Sequence, residues 1–259
     1  MGHIRLGTLP DTNHWRKVVG LIAEGGDVAQ IATATSEAAQ NGLDLAKDDP
    51  GLCHAVWLLT KIALAAREQD FAAALNAVGV ATPGNPSLFD IVGGFTDAID
   101  QHLANTKGRS DIGEMAQLSA VESLTALIGA RSASLFGTTS VEVQNAVYDF
   151  STKNGFSTLA HDFFSRFTQR FLTYHLGREL SNHVGGNGRF ANPAEHNEFV
   201  SQLAAHCRQA AIIVRDFSGG WYSKANFEDG ISTTKARNFV NFALTKLRRE
   251  IKIRGERDG

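Results

Sequence analysis

STLAHDFFSRFTQRFLTYHLGRELSNHV, residues 157–184, decides the fold class. Phe163, Phe164, Phe167, Phe171, Tyr174 and Leu180 recur at mostly three- and four-residue steps, the spacing of one face of an α-helix. This is the longest periodic run in the chain, and its dense aromatic face predicts the central core helix. Gly185-Gly186-Asn187-Gly188 stops it.

The same periodicity extends outward in both directions. On the N-terminal side, Asp11 or Thr12 caps a helix to about Glu24, with Trp15, Val18, Val19 and Ile22 on one face. Asp27 opens a second, ended by Gly42. Asp49-Pro50 starts a third, striped by Val56, Leu59, Ile62, Ala63 and Ala66. Shorter or weaker helices are predicted over 70–78, 87–104, 112–130 and 141–153, the third with Met115, Leu118, Val121, Leu124 and Ile128 near heptad spacing. On the C-terminal side, Asn192-Pro193-Ala194-Glu195 reads as a capping box opening a helix to Phe217. Residues 218–230 read as a loop, and Ser232 or Thr233 caps a last helix facing Phe239, Phe242, Ala243 and Leu247 inward. The expected architecture is all-α: one multi-helix domain over 1–259, of nine or ten helices, with a weak subdomain boundary near 79–86 (GVATPGNP). No repeat of 30–50 residues supports a solenoid.

Composition agrees. The 259 residues are 43% hydrophobic and 20% charged, with 5 Pro, enough apolar matter for a substantial core. The net charge of −2 provides no global field toward nucleic acid or anionic membrane. Its distribution is uneven: residues 1–160 hold 10 Lys/Arg against 17 Asp/Glu, residues 161–259 hold 15 against 10. Cys53 and Cys207 both lie in apolar helical runs, the setting of buried reduced thiols. Met1–Leu9 lacks the apolar stretch of a secretory signal, and no run reaches the length of a membrane span. A cytoplasmic location is expected, with no membrane partner and no cofactor.

Five constellations bear on chemistry. His175, Glu179 and His183 stand at i, i+4, i+8, a pattern able to hold a metal or to pair a base with an orienting acid. Against that, the i to i+8 step drifts about 80° around an ideal helix, and Glu179–His183 reads as an ordinary helix pair. Gly185–Arg189 brings exposed amides and a cation to the N-terminus of the next helix, the parts of an anion site, or a plain turn. Ser232-Thr233-Thr234-Lys235 matches S-x-x-K, but without its companion strings Ser232 reads as an N-cap. Trp221, Tyr222 and Lys224 in the 217–227 stretch suit an interface anchor, or Trp221 folds back into the core. Finally, Lys246, Arg248, Arg249, Lys252 and Arg254 form a basic cluster able to contact phosphate, or a solvated helix end.

No G-x-S-x-G, C-x-x-C or P-loop string occurs. The balance favours a non-enzymatic interaction or adaptor subunit of a bacterial cytosolic multi-protein assembly, contacting its protein partner through Arg189, Phe190, Trp221, Tyr222 and Lys224. The alternatives are a nucleic-acid-binding module using the basic last helix, and a helical enzyme or anion- or metal-binding protein with its site at 175–196. Self-association stays open.

Overall fold

The computed structural model describes residues 5–6, 12–106, 108–132, 139–186 and 188–257. Twelve helical segments occupy them: α1 (Asn13–Ala23), α2 (Val28–Ala38), α3 (Gln40–Ala46), α4 (Pro50–Ala65), α5 (Phe71–Ala77), α6 (Leu88–Ala104), α7 (Asp111–Ser132), α8 (Ser140–Asp149), α9 (Lys153–Asn182), α10 (Pro193–Ala210), α11 (Ile212–Glu228) and α12 (Thr233–Arg257). Among the described residues there is no strand, and Val184 and Phe190 form an isolated parallel bridge. The fold is all-α. No described helix is long and apolar enough to cross a membrane.

Helix starts follow the caps expected from sequence. Thr12 accepts from the Trp15 amide, while Asp11 lies outside the described residues. Asp27 and Gln30 form a capping box on α2, and Asn192 accepts from Ala194 and Glu195 on α10. Ser232 Oγ accepts the Lys235 amide at 3.2 Å, so the S-x-x-K string is a helix start. Lys235 Nζ reaches back to the Ala225 and Gly230 carbonyls, fastening α12 to the end of α11.

α9 packs against α7, α10 and α11, and more lightly against α2. Phe163, Phe164, Phe167 and Phe171 are at most 1% exposed, whereas Tyr174 is 41% exposed and leaves the core face. Around this axis α4 packs on α6, α7 and α12, and α2 on α1 and α12. The α4/α7 crossing is tight because glycines meet there. A Cβ added to Gly51 would stand 2.7 Å from the Gly113 Cα. Beside it the buried Asp49 carboxylate caps α4 through the Leu52 amide at 2.9 Å and accepts from Ser110 Oγ at 2.5 Å. Ser110 Oγ in turn accepts the Gly113 amide, so one relay serves two helix starts. Burial raises the Asp49 carboxyl above the ordinary range, against these hydrogen bonds.

Three local expectations are corrected. Residues 218–228 are helix, the end of α11, rather than loop. Helix propensity penalises Gly219-Gly220 by about 1 kcal/mol per residue, yet Gly219 lets α11 lie directly on the start of α9, and that packing outweighs propensity. α9 begins at Lys153, earlier than the expected 157, because Thr152 caps it by accepting from the Gly155 amide at 3.0 Å. Residues 40–46 form a separate helix, α3, where Gly42 reads in sequence as a terminator. Part of the expected 137–140 break, Gly137-Thr138, lies outside the described residues.

Candidate functional site

A concavity of about 590 Å³ runs between α7 and α9. Its floor comes from Met115 and Leu118 on α7 and Tyr174 on α9. Leu118 is 44% exposed although the 115–128 stripe places it inward by spacing alone. Each three-residue step of this stripe turns about 60° round the helix, so Met115, Leu124 and Ile128 stay buried while Leu118 turns out to the groove.

The polar wall is an ordered charge array. Asp162 on α9, its side chain 6% exposed, accepts Arg166 Nε at 2.6 Å and Arg208 Nη2 from α10 at 3.3 Å. Arg166 also reaches Glu122 on α7 at 3.1 Å, and Arg170 Nη2 pairs with the other Glu122 oxygen. Bridged in this way, the two arginines are held one helical turn apart along the groove. At one end Asp111 Oδ2 accepts both the Leu6 amide at 2.8 Å and the Tyr174 hydroxyl at 2.9 Å. Burial and then this carboxylate raise the Tyr174 phenol above its ordinary value. Two polar atoms of the lining have no partner among the described residues although both are shielded from water: Arg170 Nε and Thr173 Oγ1. Buried polar groups are nearly always satisfied, which sets these two atoms apart in the lining.

The residues singled out in the sequence do not assemble into one site. Phe190 is 4% exposed and packs on Phe199 at 5.6 Å, with the Arg189 guanidinium over both rings. Tyr222 is 1% exposed and stacks on Phe156 at 4.2 Å, and Trp221 stacks on Phe239 at 4.1 Å. Packing of α11 onto α9 and α12 buries Tyr222 and leaves Trp221 partly buried. Lys224 remains exposed, 3.8 Å from Glu228.

In the 185–189 turn, Gly185 and Gly186 take φ of +80° and +57°, which only glycine adopts without strain. The Gly185 and Gly188 amides are spent on the Phe190 and Gly185 carbonyls, so they cradle no anion. Asn187 lies outside the described residues. His175 is buried edge-on against Phe171 and Tyr174, while His183 pairs with Glu179 at 3.2 Å. The structure therefore does not converge the three, and among the described residues no three His, Cys, Asp or Glu are grouped to hold a metal ion.

Of the basic cluster, Lys246 lies over Phe242, Arg248 donates to Gln40, Lys252 stands 3.7 Å from Glu37 and Arg254 pairs with Glu250. The groove residues Glu122, Arg166 and Arg170 escape a sequence reading that follows apolar spacing. The available signal is Arg166, Gln169, Arg170 and Thr173 at helical steps, a polar face beside the Phe row.

The chain matches no protein-family model, no curated protein and no solved structure, so its own residues carry the functional reading.

Two histidines set an acid limit on stability. Burial first, and then His102 stacked on it at 3.9 Å, pushes His54 down to about 4. Burial alone pushes His175 to about 4. Both folded values lie below the ordinary 6.5, so the unfolded chain binds the protons first. Their contribution is complete above pH 6.5 and is lost as pH falls toward 4. Allowing for water that still reaches His54, the pair is worth on the order of 2 kcal/mol. Urea unfolding at pH 7 and pH 4.5 checks this. His54→Gln with His175→Gln should flatten the difference by that amount, and an unchanged difference would refute it.

Proposed function

We propose that the protein is a non-enzymatic helical interaction subunit of a bacterial cytosolic multi-protein assembly, and that it holds its protein partner in the α7/α9 groove. The observation that carries the reading is the groove's composition. An apolar floor with two part-exposed side chains, Leu118 and Tyr174, is framed by a charge array already locked in place. Interfaces are built this way, with an apolar centre and a polar rim, and aromatic and Arg residues dominate their energetics. The free Arg170 Nε and Thr173 Oγ1 add donor capacity for a carbonyl or carboxylate beside the anchor. The fitting partner segment presents one apolar side chain flanked by an acceptor.

Affinity purification from the native host, with mass spectrometry and paired nuclease-treated samples, tests this. The expected result is a stoichiometric protein partner that survives nuclease. Leu118→Arg is expected to weaken its capture about thirtyfold, the scale of an interface hot spot, with an unchanged melting temperature. Capture that is equal for the variant, or that nuclease abolishes, would overturn the proposal.

A further inference from the structure

A second concavity of about 300 Å³ lies between α2–α3 and α12. Its floor is apolar, from Leu43 and Leu244. Around it stand four cations, Lys47, Arg248, Arg249 and Lys252, against two carboxylates, Glu37 and Asp44. Lys47 is taken by Asp44 at 2.7 Å and Lys252 approaches Glu37 at 3.7 Å. The guanidinium groups are differently placed. Arg248 donates to a neutral acceptor, Gln40 Oε1, at 2.6 Å, and Arg249 has no carboxylate partner among the described residues. Neither of these two guanidinium groups, adjacent in sequence, has a carboxylate within ion-pair distance among the described residues, and Arg248 helps hold the Asp44 carboxyl below its ordinary range from farther off.

The second, independent observation is Ser36. This α2 residue lines the cavity, is 2% exposed, and its hydroxyl has no partner among the described residues. A hydroxyl inside a helix ordinarily donates to the carbonyl four residues back. Its neighbour Thr35 does so, to Ile31 at 2.7 Å. Ser36 forgoes that bond, and an unmatched buried hydroxyl is destabilising. A guest acceptor in the cavity would cancel that cost.

We propose that this cavity binds a small phosphomonoester of nucleoside-monophosphate size. The Arg248 and Arg249 guanidinium groups would hold the phosphate, Ser36 Oγ would donate to it, and the Leu43–Leu244 floor would take the attached body. Planar guanidinium groups match phosphate oxygens in paired hydrogen bonds. The volume is at the lower end for small-molecule sites, and the cations converge on it from α12 and the end of α3. A polynucleotide backbone calls instead for a row of free cations along one face. Here Lys246 lies over Phe242 and Arg254 is held by Glu250, both outside the cavity lining. The proposal is independent of the α7/α9 groove.

Isothermal titration calorimetry of the full chain at low salt tests it with AMP, inorganic phosphate and a short single-stranded oligonucleotide. One-to-one binding of AMP is expected, with inorganic phosphate about tenfold weaker or more for lack of the apolar contact. Arg248→Gln with Arg249→Gln should weaken AMP about thirtyfold or more, as for two lost charge-assisted bonds. Ser36→Ala should weaken it about tenfold while leaving the melting temperature unchanged or raised, because only an unpaired hydroxyl is removed. Four results would overturn the proposal: no AMP binding at millimolar concentration, equal affinity for phosphate and AMP, tighter binding of the oligonucleotide with a steep salt dependence, or a Ser36→Ala variant that binds AMP normally. The last would leave the hydroxyl to a water molecule.

Discussion

Phe156→Ala is expected to lower the unfolding free energy by about 3–5 kcal/mol, the range for deleting a fully buried aromatic ring. Phe156 is 2% exposed and is the ring where three helices meet. From α9 it stacks on Tyr222 of α11 at 4.2 Å, with Trp221 at 6.0 Å and Phe239 of α12 at 6.4 Å. The neighbours are themselves rings fixed by other contacts, Trp221 on Phe239 at 4.1 Å and Phe239 on Phe164 at 6.0 Å. They are poorly placed to collapse into the space, so the cavity term adds to the lost transfer energy. Phe227, 90% exposed near the end of α11, supplies the control. Its replacement by Ala should change stability by no more than about 0.5 kcal/mol. Chemical denaturation of both variants decides the matter, and comparable losses in the two would show that the three-helix aromatic junction does not exist.

The adjacent glycines of α11 should respond with opposite signs to the same substitution. At Gly219 an added Cβ would overlap the Lys153 carbonyl oxygen and Ser157 Oγ at the start of α9. The serine hydroxyl is itself bonded to that carbonyl at 3.1 Å, and the carbonyl belongs to the backbone, so neither neighbour yields cheaply. Gly219→Ala is expected to destabilise by about 3 kcal/mol, the upper part of the usual overpacking range. At Gly220 nothing lies within 4 Å of the added carbon. There Ala merely restricts the unfolded chain and improves helix propensity, and should stabilise by about 0.5–1 kcal/mol. Thermal and urea melts of the two single variants give the sign directly. Equal effects would mean that α11 and α9 are not in backbone contact.

These two predictions concern the stretch that sequence reading placed least well. Gly219-Gly220 between aromatic residues has the local chemistry of a flexible loop, and Trp221 and Tyr222 have the composition of an interface. Both features are local. What overrides them is the complementary small surface on α9, more than sixty residues earlier in the chain, which no window around residue 220 contains. The same holds for Ser36 and Arg248, 212 positions apart and joined in one cavity by the packing of α12 on α2. It holds also for Glu122 with Arg166 and Arg170. Long-range charge pairs leave no periodic trace.

The sequence by itself determined the helical class, most helix starts and the central place of the Phe163–Phe171 row. These follow from 3.6-residue periodicity and from caps such as Asp27, Asp49, Asn192 and Ser232, whose physics is confined to a turn or two of chain. Tertiary structure alone decided which aromatic faces are inside, that Leu118 and Tyr174 are left facing a groove, and which of the cations stand in ion pairs. Burial and pairing depend on which distant helix arrives at a given face, and a single helix with apolar residues on several sides does not specify that choice.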